Sequence, residues 1–234
     1  MTAVNDQDTA APGAGAVADA AVRLAGYALA FGRVDRTACQ HPDGTPESDA
    51  DHTVALGWIA AALAAAIAPG LDPHLVASFA LVHDAVETFA GDTPTLRISD
   101  QGRADKAARE RAAVRRWQAE LGPVLPWLPD MIVRYEAQTC PEARWVRAVD
   151  KICPKLLHVL SGAKDLAGYG MTTGELSGML ARQRAEITGY AGEFGALLAL
   201  YDEMAARTLR ALELLEQPCD GCAPLPRPKL PKGT

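Results

Sequence analysis

A histidine and an aspartate stand side by side, His83-Asp84, inside an apolar run that extends from Ser78 to Val86. On a helix, adjacent side chains splay about 100° apart, so this pair shares a third body only if that body sits between the two side chains, and a divalent cation is the usual one. His52 lies on an earlier Ala/Leu-rich segment and Asp150 on a later amphipathic one, Arg144 to Ile152. Burying two imidazoles and two carboxylates without a cation would cost several kcal/mol, on the order of a domain's whole stability margin. His52, His83, Asp84 and Asp150 together make a mixed nitrogen and oxygen set for one divalent metal ion. Mn, Co, Zn, Fe and Mg all stay open as its identity.

Three helices must therefore be folded onto one another to bring these residues together, and the composition agrees. The chain has 234 residues, 49% of them hydrophobic, with alanine dominating that share. Such a sequence, without clear period-2 alternation, predicts an all-α fold. A net charge of −6 offers no field attractive to a nucleic-acid polymer, although a single nucleotide is compatible with it. Five cysteines without a regular framework fit a reducing cytosol. Cys219 and Cys222 form a lone CxxC with no second ligand pair nearby, and no metal is assigned to them. The longest apolar run, Val54 to Ala68, falls short of the ~20 residues that span a membrane and reads as a buried helix. No basic region precedes an apolar stretch at the N-terminus. A soluble, cytoplasmic protein without membrane contact is expected.

Along the chain, residues 1–15 and 217–234 read as tails poor in periodicity, flanking one domain over residues 16–216. A first helix is expected from Ala16 to Phe31, then a loop from Arg33 to Asp49 that holds Pro42, Gly44 and Pro46. Ser48 to Asp51 supplies capping residues for the helix bearing His52, which ends at Pro69-Gly70. Asp72-Pro73 opens a helix that carries His83-Asp84 up to Gly91. Further helices are expected over Ser99 to Leu121 and Met131 to Ala137, then from Pro141 through a kink at Pro154, and from Thr173 to Glu216 with a break near Gly189 or Gly192.

Glu87 follows Asp84 by three residues and His83 by four, so on a continuous helix all three project over adjacent turns. A carboxylate so placed can orient or deprotonate a water, or protonate a leaving oxygen. The segments Glu47 to Thr53, Leu81 to Pro94 and Pro141 to Lys151, with the order H, HD, D and the trailing Glu87 and Gly91-Asp92-Thr93-Pro94, resemble the HD-domain phosphohydrolases. More closely they resemble the branch containing the bacterial 5′-deoxynucleotidases, over about Leu24 to Leu160. The resemblance implies an HD-domain helical bundle with His52, His83, Asp84 and Asp150 as metal ligands and Glu87 as the catalytic acid or base. It also implies that Asp92 approaches the sugar 3′-hydroxyl, serving both substrate binding and catalysis. An arginine upstream of the first ligand holds the phosphate in such proteins. Arg33 is the first choice here and Arg36 its competitor, because the loop leading to His52 is long, and Val34 replaces the aromatic residue expected after the arginine. Relatives with two metals carry extra histidines between the dyad and the last aspartate. No histidine occurs between His83 and His158, which favours a single-metal site.

The resulting expectation is a phosphohydrolase of small-molecule nucleotides, a 5′-deoxynucleotidase that releases deoxynucleoside and phosphate with the aid of a metal-activated water. The alternatives are a dNTP triphosphohydrolase, for which Arg97, Lys106 and Arg109 would supply extra charge, and a nucleotide-binding HD domain without turnover. His74 and His158 are expected as hydrogen-bonded core residues, and His41 as a loop residue. Lys151 is expected to pair with Asp150 or touch phosphate, and Arg103, Lys106 and Arg109 to mark a solvated helix face. Apolar residues on the first and last helices would suit a homodimer as well as a core.

Overall fold

Ser48 and Asp51 close a capping box at the start of the second helix, each side chain bonding the other's backbone N–H. Comparable signals start its neighbours in the computed structural model, which describes residues 11–93 and 98–217. Asp72 caps the next helix by accepting from the His74 amide, with Pro73 in the first turn, and Thr172 and Glu175 repeat the capping box further on. In chain order the elements are α1 (Ala14–Phe31), β1 (Asp35–Gln40), β2 (Pro46–Ser48), α2 (Asp49–Ile67), α3 (Pro73–Val82) and α4 (Glu87–Ala90). Then come α5 (Asp100–Leu121), α6 (Trp127–Ala137), α7 (Pro141–Asp150), α8 (Cys153–Leu160), α9 (Lys164–Gly168), α10 (Thr173–Ala191) and α11 (Gly195–Glu216). The fold is an all-α bundle with one small hairpin among the described residues.

The core forms where α2, α3 and α7 cross. Leu56, Ala60 and Ala64 of α2 meet Val76, Phe79 and Ala80 of α3 and Trp145, Val146 and Val149 of α7, all essentially without solvent exposure. Trp145 is the largest of the fully buried side chains, donates its indole N–H to the Ala60 carbonyl at 3.0 Å and meets Phe194 edge to face. Trp145→Ala should destabilise the protein by about 3–5 kcal/mol in urea unfolding, because it removes packing atoms and an indole donor at once. A loss below about 1 kcal/mol would count against this being the central packing contact.

Several sequence expectations need correction. The segment from Arg33 to Asp49 is not all loop: β1 and β2 pair antiparallel, Asp35 opposite Ser48 and Gln40 opposite Pro46, with an irregular register between them. The turn closes through His41 N–H to the Thr45 carbonyl at 2.8 Å, with Gly44 in the left-handed region. This strand pair was hard to read because it is short and its inward residues, Arg36, Cys39 and Glu47, are mostly polar. The dyad helix also does not continue to Gly91. It ends at Val82, and His83 to Val86 form tighter turns, with Ala85 N–H bonding the Val82 carbonyl and Glu87 N–H the Asp84 carbonyl, before α4 begins.

Pro154 breaks the next element rather than kinking it, since it has no N–H for the Asp150 carbonyl, so α7 ends at Asp150 and α8 starts at Cys153. The last long helix breaks between Ala191 and Gly195, at the Gly192 end of the expected range. α1 starts two residues earlier than expected and α6 four, the latter with Pro129 tolerated in its first turn.

The helix carrying Val54 to Ala68 is only half buried: Val54 and Trp58 are exposed. By length and apolar composition alone, both α1 and α2 would suffice to cross a membrane. α2 packs instead on α3 and α7, whereas α1 buries only Ala20. The tail residues 1–10 and 218–234, with Cys219 and Cys222, lie outside the described residues, as does Arg97.

Candidate metal centre

His52 sits one turn into α2, fully buried, because Ser48 and Asp51 do the capping and the helix face toward α3 and α7 carries the apolar residues. His83 and Asp84 follow the last turn of α3, and Asp150 ends α7. Each of the four offers one ligand atom, and these atoms all lie within 4.8 Å of one another. The His52 Nε2 atom is 3.0 Å from Asp150 Oδ1, and His83 Nε2 is 2.9 Å from Asp84 Oδ2.

The His83 Nδ1 atom lies 2.8 Å from the Ala80 carbonyl, which accepts only from a protonated ring nitrogen. That bond leaves Nε2 of the neutral ring as a lone pair pointing at a carboxylate oxygen, with no hydrogen-bond partner among the described residues. Converging acceptors without a proton between them are what a cation satisfies. Charge points the same way: the carboxylates of Glu47, Asp49, Asp84, Glu87, Asp92 and Asp150 gather around Arg36, Lys106 and Lys151, an excess of negative charge that a divalent ion offsets. The residues present fit such an ion.

Behind these four lies a layer of polar residues. Glu47, buried, holds Arg36 from one side at 3.3 Å and approaches His52 Nδ1 at 3.6 Å. The Arg36 guanidinium donates to Asp84 Oδ2 at 2.8 Å and lies 3.7 Å from Asp49. Asp49 is fully buried at the first position of α2 and, among the described residues, no N–H donates to either of its oxygens. Burial and the neighbouring Asp84 push the Asp49 carboxyl up to about 7 and that of Glu87 up to about 9, so the pair is poised to retain a proton. The Arg36 guanidinium bonded to Asp84 favours its charged form against the cost of burial. Asp49, Asp84 and Glu87 also bring one oxygen each within 4.8 Å of one another, a second all-oxygen grouping that shares Asp84.

One cavity of about 190 Å³ joins these residues. Arg36, Asp84, Glu87, Asp92, Lys106 and Asp150 all line it. Arg33 does not: it is exposed on the turn after α1, whereas Arg36 enters the cavity from β1. Lys106 departs from the expected solvated face, since its ammonium reaches inward to Glu87 at 3.0 Å while also pairing with Glu110 at 2.7 Å. Arg103 and Arg109 are exposed, and Arg109 donates to the Thr93 hydroxyl at 2.7 Å. Lys151 pairs with Asp150 at 2.8 Å. His158 is buried against Asp165 at 2.6 Å, but His74 is exposed in the first turn of α3 rather than in the core, and His41 is half-buried near Asp51.

Residues that sequence reasoning passed over include Asp49, visible only as a capping candidate, and Trp117, whose indole N–H donates to the Ala85 carbonyl at 3.0 Å and so fixes the turn after the dyad. Lys155 was also missed. It is buried on α8, donates to the Lys151 carbonyl and lies over the Tyr201 ring. Burial, and then repulsion by Lys151, lower its pKa from 10.5 to about 7. Between those values the unfolded chain binds a proton that the folded one does not, so stability rises with pH across this window, by up to about 1.4 kcal/mol per unit. Lys155→Met should flatten that rise in urea titrations run from pH 7 to 10. An unchanged slope would mean the lysine stays charged.

A helical bundle that gathers nitrogen and oxygen donors beside three cations has the arrangement of a metal-dependent hydrolase. Residues 33–189 match the HD domain family, well over half of the chain, and the chain belongs to that family of metal-dependent phosphohydrolases. It is similar to the crystal structure of a predicted metal-dependent phosphohydrolase from Magnetospirillum magnetotacticum MS-1, at 25% identity and a TM-score of 0.61, covering 83% of this chain and 98% of that one. No curated protein matches it.

Proposed function

We propose that the protein is a 5′-deoxynucleotidase that hydrolyses deoxynucleoside 5′-monophosphates, with its divalent ion held by His52, His83, Asp84 and Asp150. The observation that carries this reading is the single cavity in which Arg36, Lys106 and Lys151 line the same space as Asp84, Asp150 and Glu87. An anionic monoester fits there, and the resemblance of the dyad segment and of Gly91-Asp92-Thr93-Pro94 to the deoxynucleotidase branch supplies the substrate class.

When bound, the ion supplies Lewis-acid chemistry that activates a water and offsets charge on phosphorus. The chain's own residues do the rest. Arg36, anchored by Glu47, holds non-bridging phosphate oxygens with its planar fork. Glu87, buried beside Asp84 in the same cavity, is placed to give a proton to the departing 5′-oxygen, and Lys106 steadies it through Oε1. Asp92 lines the same space and accepts from the sugar 3′-hydroxyl. The triphosphohydrolase alternative needs cations beyond these. Arg109 is exposed and bonded to Thr93, which leaves Lys106 alone of the described candidates in the cavity and favours the monoester. A screen of NMPs, dNMPs and dNTPs with Mn, Co, Mg and Zn, read by phosphate release and product chromatography, tests this. Triphosphate as the product would overturn it, as would the absence of any turnover. Cytoplasmic location and a homodimer belong to the same reading.

A further inference from the structure

Glu87 opens a helix of a single turn. α4 has no side-chain cap at its start, and Gly91 closes it in the left-handed region. Nucleating a turn fixes several backbone dihedrals for one hydrogen bond, so four residues do not keep a helical shape by themselves. Whatever aims Glu87 into the cavity must come from outside the element.

The contacts that hold α4 lie on its back. Phe89 follows Glu87 by two residues and so points about 200° away around the turn, opposite the carboxylate. α1 and α5 both pack against α4. The Phe89 ring meets Tyr27 of α1 edge to face with centroids 4.9 Å apart and Trp117 of α5 at 5.4 Å, and Tyr27 and Trp117 meet each other at 5.3 Å. Three rings in mutual contact at these angles attract beyond the area they bury. The Arg116 guanidinium covers the Phe89 ring at 4.0 Å and donates to Glu120 at 2.6 Å, and Glu120 also accepts from the Tyr27 hydroxyl. Trp117, buried, donates to the Ala85 carbonyl and so ties the turn that leads into α4 to the same cluster. α1 fully buries only Ala20 along its 18 residues, which makes it a poor core element, yet it places Tyr27 on Phe89.

We propose that Tyr27, Phe89 and Trp117 are positioning residues that act through Glu87: the three rings set the orientation of α4 and with it the reach of the Glu87 carboxyl into the cavity. The inference rests on the hydrolytic role given to Glu87. It makes proton delivery depend on a contact that α1 supplies from outside the cavity.

Tyr27→Leu and Phe89→Leu each remove one ring, from opposite sides of the contact. Each should lower kcat on the best substrate of the screen by about 10- to 100-fold, the range expected when a reacting group is misplaced by up to about 1 Å. KM and bound metal should change little, because the four proposed ligands stand on α2, at the ends of α3 and of α7, and not on α4. Tyr27→Phe, which keeps the ring, should lose far less. Made on a Glu87→Gln background, the two leucine substitutions should cost almost nothing further, since no carboxyl remains to be misplaced. Equal losses in both backgrounds would mark the rings as packing alone and overturn the inference, as would loss of metal in step with rate, or full rate in both leucine variants. Hydrogen exchange reads the same contact without any reaction. Amides of residues 85–91 should exchange faster in both leucine variants while those of α7 keep their protection. Faster exchange there with every phosphoester inert would support the hold on α4 and sink the hydrolytic reading alone, whereas unchanged exchange would overturn the inference whatever the turnover.

Discussion

Asp84→Asn is expected to strip the protein of its divalent metal and lower turnover by more than about 1,000-fold, since a metal that supplies several kcal/mol to the transition state is worth that at about 1.4 kcal/mol per decade. The geometry explains why this side chain outranks its neighbours. One carboxylate oxygen, Asp84 Oδ2, faces His83 Nε2 at 2.9 Å and the Arg36 guanidinium at 2.8 Å, and Asp84 is common to both groupings of ligand atoms. An amide in its place keeps the shape but loses the charge that offsets a cation, and an N–H turned toward the Arg36 guanidinium meets a donor where an acceptor is needed. Arg36 would be left to Glu47 and Asp49 and would swing away from the cavity. Elemental analysis of the purified variant, beside kinetics on the best substrate of the screen, checks both halves. An asparagine variant with full metal content and full rate would show that the ion lies elsewhere.

Glu87→Gln should behave differently, with metal content retained and kcat reduced by about 100- to 10,000-fold, the range over which a positioned general acid contributes. Glu87 is buried, shares the cavity with Asp84 and is tied to Lys106 at 3.0 Å, yet its Oε2 has no hydrogen-bond partner. That free oxygen is the one available for proton transfer. If it protonates the departing oxygen, the deficit of the variant should shrink on p-nitrophenyl phosphate, whose leaving group needs no proton, while staying large on a nucleotide. Equal deficits on the two esters would assign Glu87 to orienting the water instead. A variant that loses metal along with activity would place Glu87 among the ligands.

How far the site could be read from residues alone varied with the kind of signal. His52, His83, Asp84 and Asp150 were legible because polar groups in apolar helical runs demand a partner, and the structure brings those four within reach of one another. Arg33 and Arg36 were not separable in sequence. Three positions separate them, and a strand pair too short and too polar inside to show a period decides which one enters the cavity. Lys106 looked like one more charge on a solvated helix, since nothing local distinguishes a lysine that turns inward to a carboxylate from one that does not. Asp49 was hidden by its position, because an aspartate beside a helix start reads as a cap.

By itself the sequence determined the class of fold, the starts of most helices and the identity of the residues that could hold a cation, because propensity, capping and the cost of burying charge act locally or through composition. Only the tertiary structure decided which cations share the cavity with those residues and where the dyad turn breaks from its helix. These depend on the crossing of α2, α3 and α7 and on the hairpin laid beside them, and long-range packing leaves no periodic trace in the chain.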